Sequence, residues 1–439
     1  MKPRDHLRRS RRLVGRTPQR RAHEARRRLL RRRPAAPLAL LAVLGPGLLA
    51  GLSDDDPAGI TTYSILGAEH GYELLWVLAL STVALIVFHE LAARLGVVTG
   101  KGLILLVRER YGRAGATVAV SALVVANVGT ICAELAGVAV GAQLLFGVGR
   151  GIAVPIAAAA VAVLVLGSSF HRVEHVLLAL ASVFVAYVAA GLLAGPDWGA
   201  AATGLVVPRL PAGRDAILVA VATIGTTLAP WGLAFMQSYA VDKRLRVEDL
   251  RYERIDVVTG ATLTGIIGLF IVIACAATLH PAGVTIDDGA EAARALEPLA
   301  GSLAATLFGV GILGAALLAA AIVPLSTAYS LCEAAGHPAG LDVPPRRAPL
   351  FYGSFLAALA VAGAIVLIPG LPLVPVLFLT QALNAMLLLA ILPFMRALAR
   401  DRELLGAQRL GRAGEIATAL VIALVAAACA LLLALTVSG

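Results

Sequence analysis

Acidic side chains inside an apolar stretch are the first residues of this chain with chemistry to offer. Between PLALLAVLGPGLLAGLS and the apolar residues that resume at Ile60 stand Asp54, Asp55, Asp56, Pro57, Ala58 and Gly59. An ionised carboxylate near the centre of a bilayer is costly and calls for a partner, and hard divalent cations are held by carboxylate and carbonyl oxygens. Asp56 is therefore a candidate cation ligand. A second apolar run is interrupted at Gly225, Thr226, Thr227, Leu228, Ala229, Pro230, Trp231 and Gly232. Proline removes a backbone donor and glycine weakens a helix, so both segments are expected to unwind near their middle. Pro57, Gly59, Gly225, Pro230 and Gly232 are the helix-break residues in this reading. Unwinding would leave the Ala229 carbonyl free to join Asp56 at a cation. Thr226 and Thr227 offer neutral oxygens to the waters of a hydrated ion, as do Gln381 and Asn384 further along the chain.

Other spacings carry less. Residues 36 to 52 alone nearly suffice to span a membrane, in which case Asp54 to Asp56 form an ordinary outer loop. Otherwise Asp54 and Asp55 hydrate the break, or line an outer vestibule that attracts cations. His89 and Glu90 begin HELAA, but the second histidine of a zinc HExxH motif falls on Ala93. His171, Glu174 and His175 satisfy HxxEH, yet they sit in a short link between apolar stretches with no further ligand nearby. Cys132, Cys275, Cys332 and Cys429 lie in apolar segments and form no CxxC pair, so neither a disulfide framework nor a thiolate site is indicated. No enzyme and no cofactor are expected.

The elements that must position the acids are membrane helices. Of 439 residues 59% are hydrophobic and 15% charged, where a soluble chain keeps about a quarter charged. Residues 1 to 33 hold 15 of the 37 basic residues and two acids, which leaves the remainder with a net charge of −3 and excludes a general nucleic-acid-binding protein. That tail, taken as 1–35, reads as a disordered cytoplasmic arm that touches anionic lipid headgroups. About 20 apolar residues cross the hydrocarbon. Eleven stretches qualify, near 36–68, 73–93, 115–147, 151–168, 173–194, 216–240, 257–279, 303–330, 349–369, 373–397 and 414–437. With the tail inside, only Arg150, Arg209, Arg214 and Arg294 face outward; the positive-inside rule then places the N-terminus in the cytoplasm and the C-terminus outside, in a plasma or inner membrane. Breaks in the first and sixth spans match a five-plus-five inverted repeat, with the two repeats over 36–195 and 214–397, and 398–439 adding a cytoplasmic link and an eleventh helix. The sequence sets no oligomeric state and is compatible with a monomer.

The order GPGLLAGLSDDDPAGITTYS, ARLGVVTGKGL, RERYG, RVEHVLLALASVFVAYV and GTTLAPWG resembles the natural resistance-associated macrophage protein (NRAMP) family of divalent-metal transporters, over nearly everything from 40 to 397. The resemblance implies an all-α polytopic fold of the leucine-transporter (LeuT) type. The family's first helix carries Asp-Pro-Gly-Asn; here Asp56, Pro57, Ala58 and Gly59 keep the aspartate and lose the asparagine. Its sixth helix carries Met-Pro-His; here Ala229, Pro230 and Trp231 lack both the sulfur and the imidazole. The pattern is similar to the NRAMP-related magnesium transporters, which Glu134 in NVGTICAELAG and the segments PLSTAYSLCEAAG and LTQALNAMLLLAILPFM also resemble. It implies a second acid, Glu134, on the third helix. Thioether ligands favour transition metals and oxygen-only sites suit Mg²⁺, Ca²⁺ or Mn²⁺; Mg²⁺ keeps several waters. The expectation is an importer of Mg²⁺, with Mn²⁺ also carried as substrate, working by alternating access. Proton movement in the family is associated with the sixth-helix histidine and with acids on the third helix, whose places hold Trp231 and Gly137 here, so uncoupled flux is expected. A proton-coupled Mn²⁺ or Fe²⁺ symporter is the alternative, and an organic-solute symporter sharing the repeat is more distant.

Overall fold

The apolar stretches fold as helices wherever the computed structural model describes the chain, which is over residues 55–167, 185–243, 245–286, 289–297, 301–341 and 343–438. The basic tail, Asp54 and the His171, Glu174, His175 spacing lie outside the described residues. No strand occurs among them. In chain order the main helices are α1 (Pro57–His70), α2 (Leu75–Thr99), α3 (Leu103–Phe146), α4 (Arg150–Leu166), α5 (Val185–Leu193), α6 (Trp198–Val206), α7 (Arg214–Thr227), α8 (Pro230–Asp242) and α9 (Leu250–Thr278). There follow α10 (Ala304–Ala335), α11 (Pro349–Val366), α12 (Leu373–Leu388), α13 (Leu392–Arg400) and α14 (Arg412–Ser438). With α7–α8 and α12–α13 each counted as one crossing, and α6 set aside as a short helix in a connection, the described parts fall in all eleven expected spans. Eight of these crossings are long and apolar enough to traverse a bilayer by themselves.

The sixth span breaks where it was expected to unwind, and the described part of the first span begins its helix at the expected place. Asp56 is extended immediately before α1, and Leu228 and Ala229 separate α7 from α8. The helix order is compatible with the expected five-plus-five arrangement. The broken sixth span is the heart of the molecule: 94% of its apolar window is buried, against 22% for α14. Large apolar side chains such as Val118, Val125, Ile156, Val163, Leu420 and Val437 face outward, as a lipid-solvated surface requires. Lipid tails supply no hydrophobic drive between helices, so small residues set how closely they pack. A side chain at Gly141 of α3 would meet the Gly309 carbonyl of α10 at 3.1 Å.

Three local features depart from the sequence expectation. The link before the third span is itself helical, Leu103 onward, and joins the span through a kink at Gly112 with φ +74°. The span expected over 373–397 is interrupted at 389–391, just ahead of Pro393. Gly225 does not break the sixth span: α7 runs through it to Thr227. Its value is close approach, since a Cβ there would sit 1.9 Å from the Gln381 carbonyl oxygen of α12.

Candidate metal-ion site

Asp56 caps α1. Its Oδ1 accepts the Gly59 N–H at 2.6 Å, its backbone carbonyl accepts the Ile60 N–H at 3.0 Å, and Pro57 takes the first helical turn. An aspartate cap followed by proline and a closely bonded third amide is a strong helix start. Asp56 is buried at 4% exposure. The carboxylate thus serves the fold through Gly59.

Glu134 faces Asp56 from the middle of α3. It is fully buried, and neither of its oxygens has a well-formed hydrogen bond. The reason the two helices come so near lies one turn further along α3. A Cβ at Gly137 would stand 2.4 Å from both Cβ and Cγ of Pro57, so glycine makes room for the start of α1 against Glu134. Asp55, expected to hydrate the break or line a vestibule, is instead buried beside Asp56 with both carboxylate oxygens unpartnered. The sequence signal for it was its place directly ahead of the Asp56 cap.

The neutral oxygens divide. Thr226 is buried with an unpartnered hydroxyl. Thr227 is not free: its hydroxyl donates to the Thr223 carbonyl at 2.8 Å and pairs with the Tyr63 hydroxyl at 3.0 Å, tying the end of α7 to α1. The Ala229 carbonyl, expected to be free, accepts the Gly232 N–H at 3.2 Å because α8 opens with a tight turn; a second lone pair remains. Gln381 and Asn384 stand one turn apart on α12. The Asn384 amide donates to Gln381 Oε1 at 3.0 Å and to Thr130 Oγ1 at 3.1 Å, while Asn384 Oδ1 is buried and unpartnered. Thr130 lies one turn before Glu134, so this pair is anchored beside the acid. Ser326 of α10 was not singled out from sequence; its hydroxyl donates to the Trp231 carbonyl at 2.9 Å and steadies the start of α8. Trp231 is buried at 1% exposure.

Among the described residues no three His, Cys, Asp or Glu side chains are gathered to hold a metal ion. The arrangement offers a carboxylate pair, a further buried acid and scattered neutral oxygens, which suits a cation that keeps part of its hydration shell. His89 is buried alone on α2, and Glu90 pairs with Arg94 and Arg254; neither belongs to a metal cluster. All four cysteines are free and buried.

The family model for natural resistance-associated macrophage protein-like (Nramp) chains matches residues 47–435. The chain belongs to the Nramp family. A divalent metal cation transporter MntH of Pectobacterium carotovorum is 29% identical over 396 residues, covering 88% of this chain and 93% of the relative. Another MntH, of Burkholderia ambifaria, is 32% identical over 303 residues, covering 66% and 68%. Among solved structures, the manganese transporter of Eremococcus coleocola superposes with a TM-score of 0.71 at 20% identity, covering 91% of this chain and 87% of that one. Mhp1, a nucleobase-cation-symport-1 family transporter, superposes at 0.55 and 15% identity, covering 90% and 92%. These two likenesses speak for the fold.

Proposed function

We propose that this Nramp chain imports Mg²⁺, with Mn²⁺ also carried, down the ion gradient and membrane potential without moving protons. As a member of the family it is a multi-pass membrane transporter of divalent metal cations, not an enzyme. The observation that carries the finer reading is the make-up of the candidate site: buried Asp55 and Glu134 facing Asp56, with the unpartnered Thr226 hydroxyl on α7 and Asn384 carbonyl on α12, and neither sulfur nor imidazole at Ala229 and Trp231. A hard ion that retains waters fits such a set better than a soft one. Asp56 would contact the ion or one of its waters, Glu134 would add the second negative charge, and Thr226 and Asn384 would accept hydrogen bonds from bound water. Gln381 would hold Asn384 in place, and Thr227 and Ala229 would shape the break around the ion. Alternating access would follow from movement of the half-helices about the two breaks. Trp231 and Gly137, which cannot take up a proton, support uncoupled flux. The excess of Lys and Arg at the tail-proximal face supports a cytoplasmic N-terminus, an external C-terminus and a plasma-membrane location.

A second reading has its own support. The relatives are named divalent metal cation transporters and one structural neighbour is a manganese transporter, and paired acids are able to exchange protons for a metal. That reading makes the chain a proton-coupled Mn²⁺ or Fe²⁺ symporter. Uptake of Mg²⁺ and Mn²⁺ into proteoliposomes, with and without a pH gradient, separates the two. Mg²⁺ uptake indifferent to the gradient supports the first, and Mn²⁺ uptake that requires the gradient and ignores Mg²⁺ supports the second.

A further inference from the structure

Outside the candidate metal-ion site, a half-buried carboxylate works at the end of the molecule where α3 begins, the end rich in Lys and Arg. Glu333 lies near the C-terminus of α10. Its Oε2 accepts the backbone N–H of Ile104 at 3.0 Å and of Leu105 at 3.5 Å, and its Oε1 accepts the Ser238 hydroxyl of α8 at 2.7 Å. Gly102, the residue before α3, supplies no side-chain cap, so the first amides of α3 are satisfied by a carboxylate from another helix, where a negative charge is favoured. The seat is tight: a Cβ on Gly102 would come within 1.7 Å of Glu333 Oε1. Two more bonds run alongside. Gln237 Nε2 of α8 donates to the Lys101 carbonyl at 3.0 Å, and the Tyr329 hydroxyl of α10 donates to Asp242 Oδ2 of α8 at 3.0 Å. Lys101, Asp242, Tyr329, Glu333 and His337 line a cavity of about 490 Å³ on this side.

All three bonds have one partner on α8, the half-helix that follows the sixth-span break, and the other on α10 or the α2–α3 link. We propose that Glu333 is the centre of a latch that holds α8 against α3 and α10 and keeps the path from the metal site to the basic end shut. This rests on the chain being an alternating-access transporter, in which one bundle of helices rocks or gates against the other around the site. Opening that end requires α8 to leave Glu333, Lys101 and Tyr329. Glu333 stays on the α3 amides because both of those partners lie outside the moving half-helix. Ser238 is thus the bond that breaks and Glu333 is a positioning residue, not an ion ligand.

The test reads opening directly. In the full chain with its four cysteines replaced by alanine, Ser330→Cys places a reporter on α10, three residues or roughly 4.5 Å deeper than Glu333; Ser330 is buried at 1% exposure. The rate of its modification by a charged thiosulfonate is measured in detergent with no metal added. Ser238→Ala and Glu333→Gln are each expected to raise the rate about tenfold, the factor that corresponds to about 1.4 kcal/mol. The double variant should exceed the faster single variant by less than twofold, because both remove one contact. Glu109→Gln, which breaks only the exposed Lys101–Glu109 pair, should leave the rate unchanged. Should Glu333→Gln fail to fold by size exclusion, Ser238→Ala, which leaves the carboxylate on α3, decides alone. Rates within twofold of the parent in folded Ser238→Ala overturn the latch. Because accessibility is read without transport, that result leaves the choice of ion untouched, and a failed flux assay leaves the latch untouched.

Discussion

Asp56 has two jobs in this structure, and two substitutions separate them. Its Oδ1 caps α1 through Gly59 at 2.6 Å, and its charge faces Glu134 across the break. Asparagine is as good an N-cap as aspartate, whereas alanine costs about 1 kcal/mol of stability at such a position. Asp56→Asn is therefore expected to keep the thermal stability of the parent, while Asp56→Ala lowers it by about that amount. Transport should respond differently. A carboxylate some 4 Å from a doubly charged ion contributes a gross attraction of about 8 kcal/mol at an effective dielectric constant near 20, twice the single-charge figure. Desolvation offsets much of this, but a net loss of about 2.7 kcal/mol alone weakens affinity a hundredfold. Both variants should therefore lose Mg²⁺ uptake in proteoliposomes, with melting followed on the same samples. Normal uptake by folded Asp56→Asn would refute the placement of Asp56 at the ion. Equal stability of Asn and Ala variants would refute the cap.

Glu134→Gln keeps the shape of the side chain and removes the more remote charge, so uptake should fall less than in Asp56→Asn, with a raised half-saturating Mg²⁺ concentration; an unchanged concentration dependence counts against Glu134. Gly137→Ala drives a Cβ to 2.4 Å from Pro57, and overpacking of this kind costs about 1–3 kcal/mol; both melting temperature and uptake should drop, and a variant as stable and active as the parent would mean α1 does not abut α3 there. Ala229→Met introduces a thioether beside the site and should let Cd²⁺ compete more strongly against Mg²⁺, measured as inhibition of Mg²⁺ uptake; no change in Cd²⁺ potency would place position 229 away from the ion.

The start of α1 was legible at Pro57, because a residue without a backbone donor interrupts a helix even within an apolar run. The sixth-span break was legible at Pro230, which lacks a backbone donor, and α8 does begin there. Gly225 was misread. A glycine inside a helix costs roughly 1 kcal/mol in propensity, and the packing that outweighs this cost, contact with the Gln381 carbonyl, is tertiary and has no local trace. Thr227 and the Ala229 carbonyl were expected to be available, but their hydrogen bonds go to Tyr63, Thr223 and Gly232, partners set by how α1 approaches α7 and how tightly α8 starts. Asp55 was placed with water because an acid next to a break is ordinarily hydrated, yet it is buried. The interruption at 389–391 had a signal in Pro393 that the length of the apolar run concealed.

The account turns on a hydrated hard ion crossing without a proton, and one recording addresses both halves. Proteoliposomes that enclose a pH-sensitive dye and a Mg²⁺ indicator are given external Mg²⁺ and an inside-negative potential, which drives a doubly charged ion by about 4.6 kcal/mol per 100 mV, twice the single-charge value. The account predicts that Mg²⁺ enters in step with the imposed potential while the pH dye stays silent, and that excess Mg²⁺ suppresses Mn²⁺ uptake in parallel vesicles. Acidification that rises with metal entry and vanishes when metal is withheld, or Mn²⁺ uptake unaffected by a large excess of Mg²⁺, would contradict it.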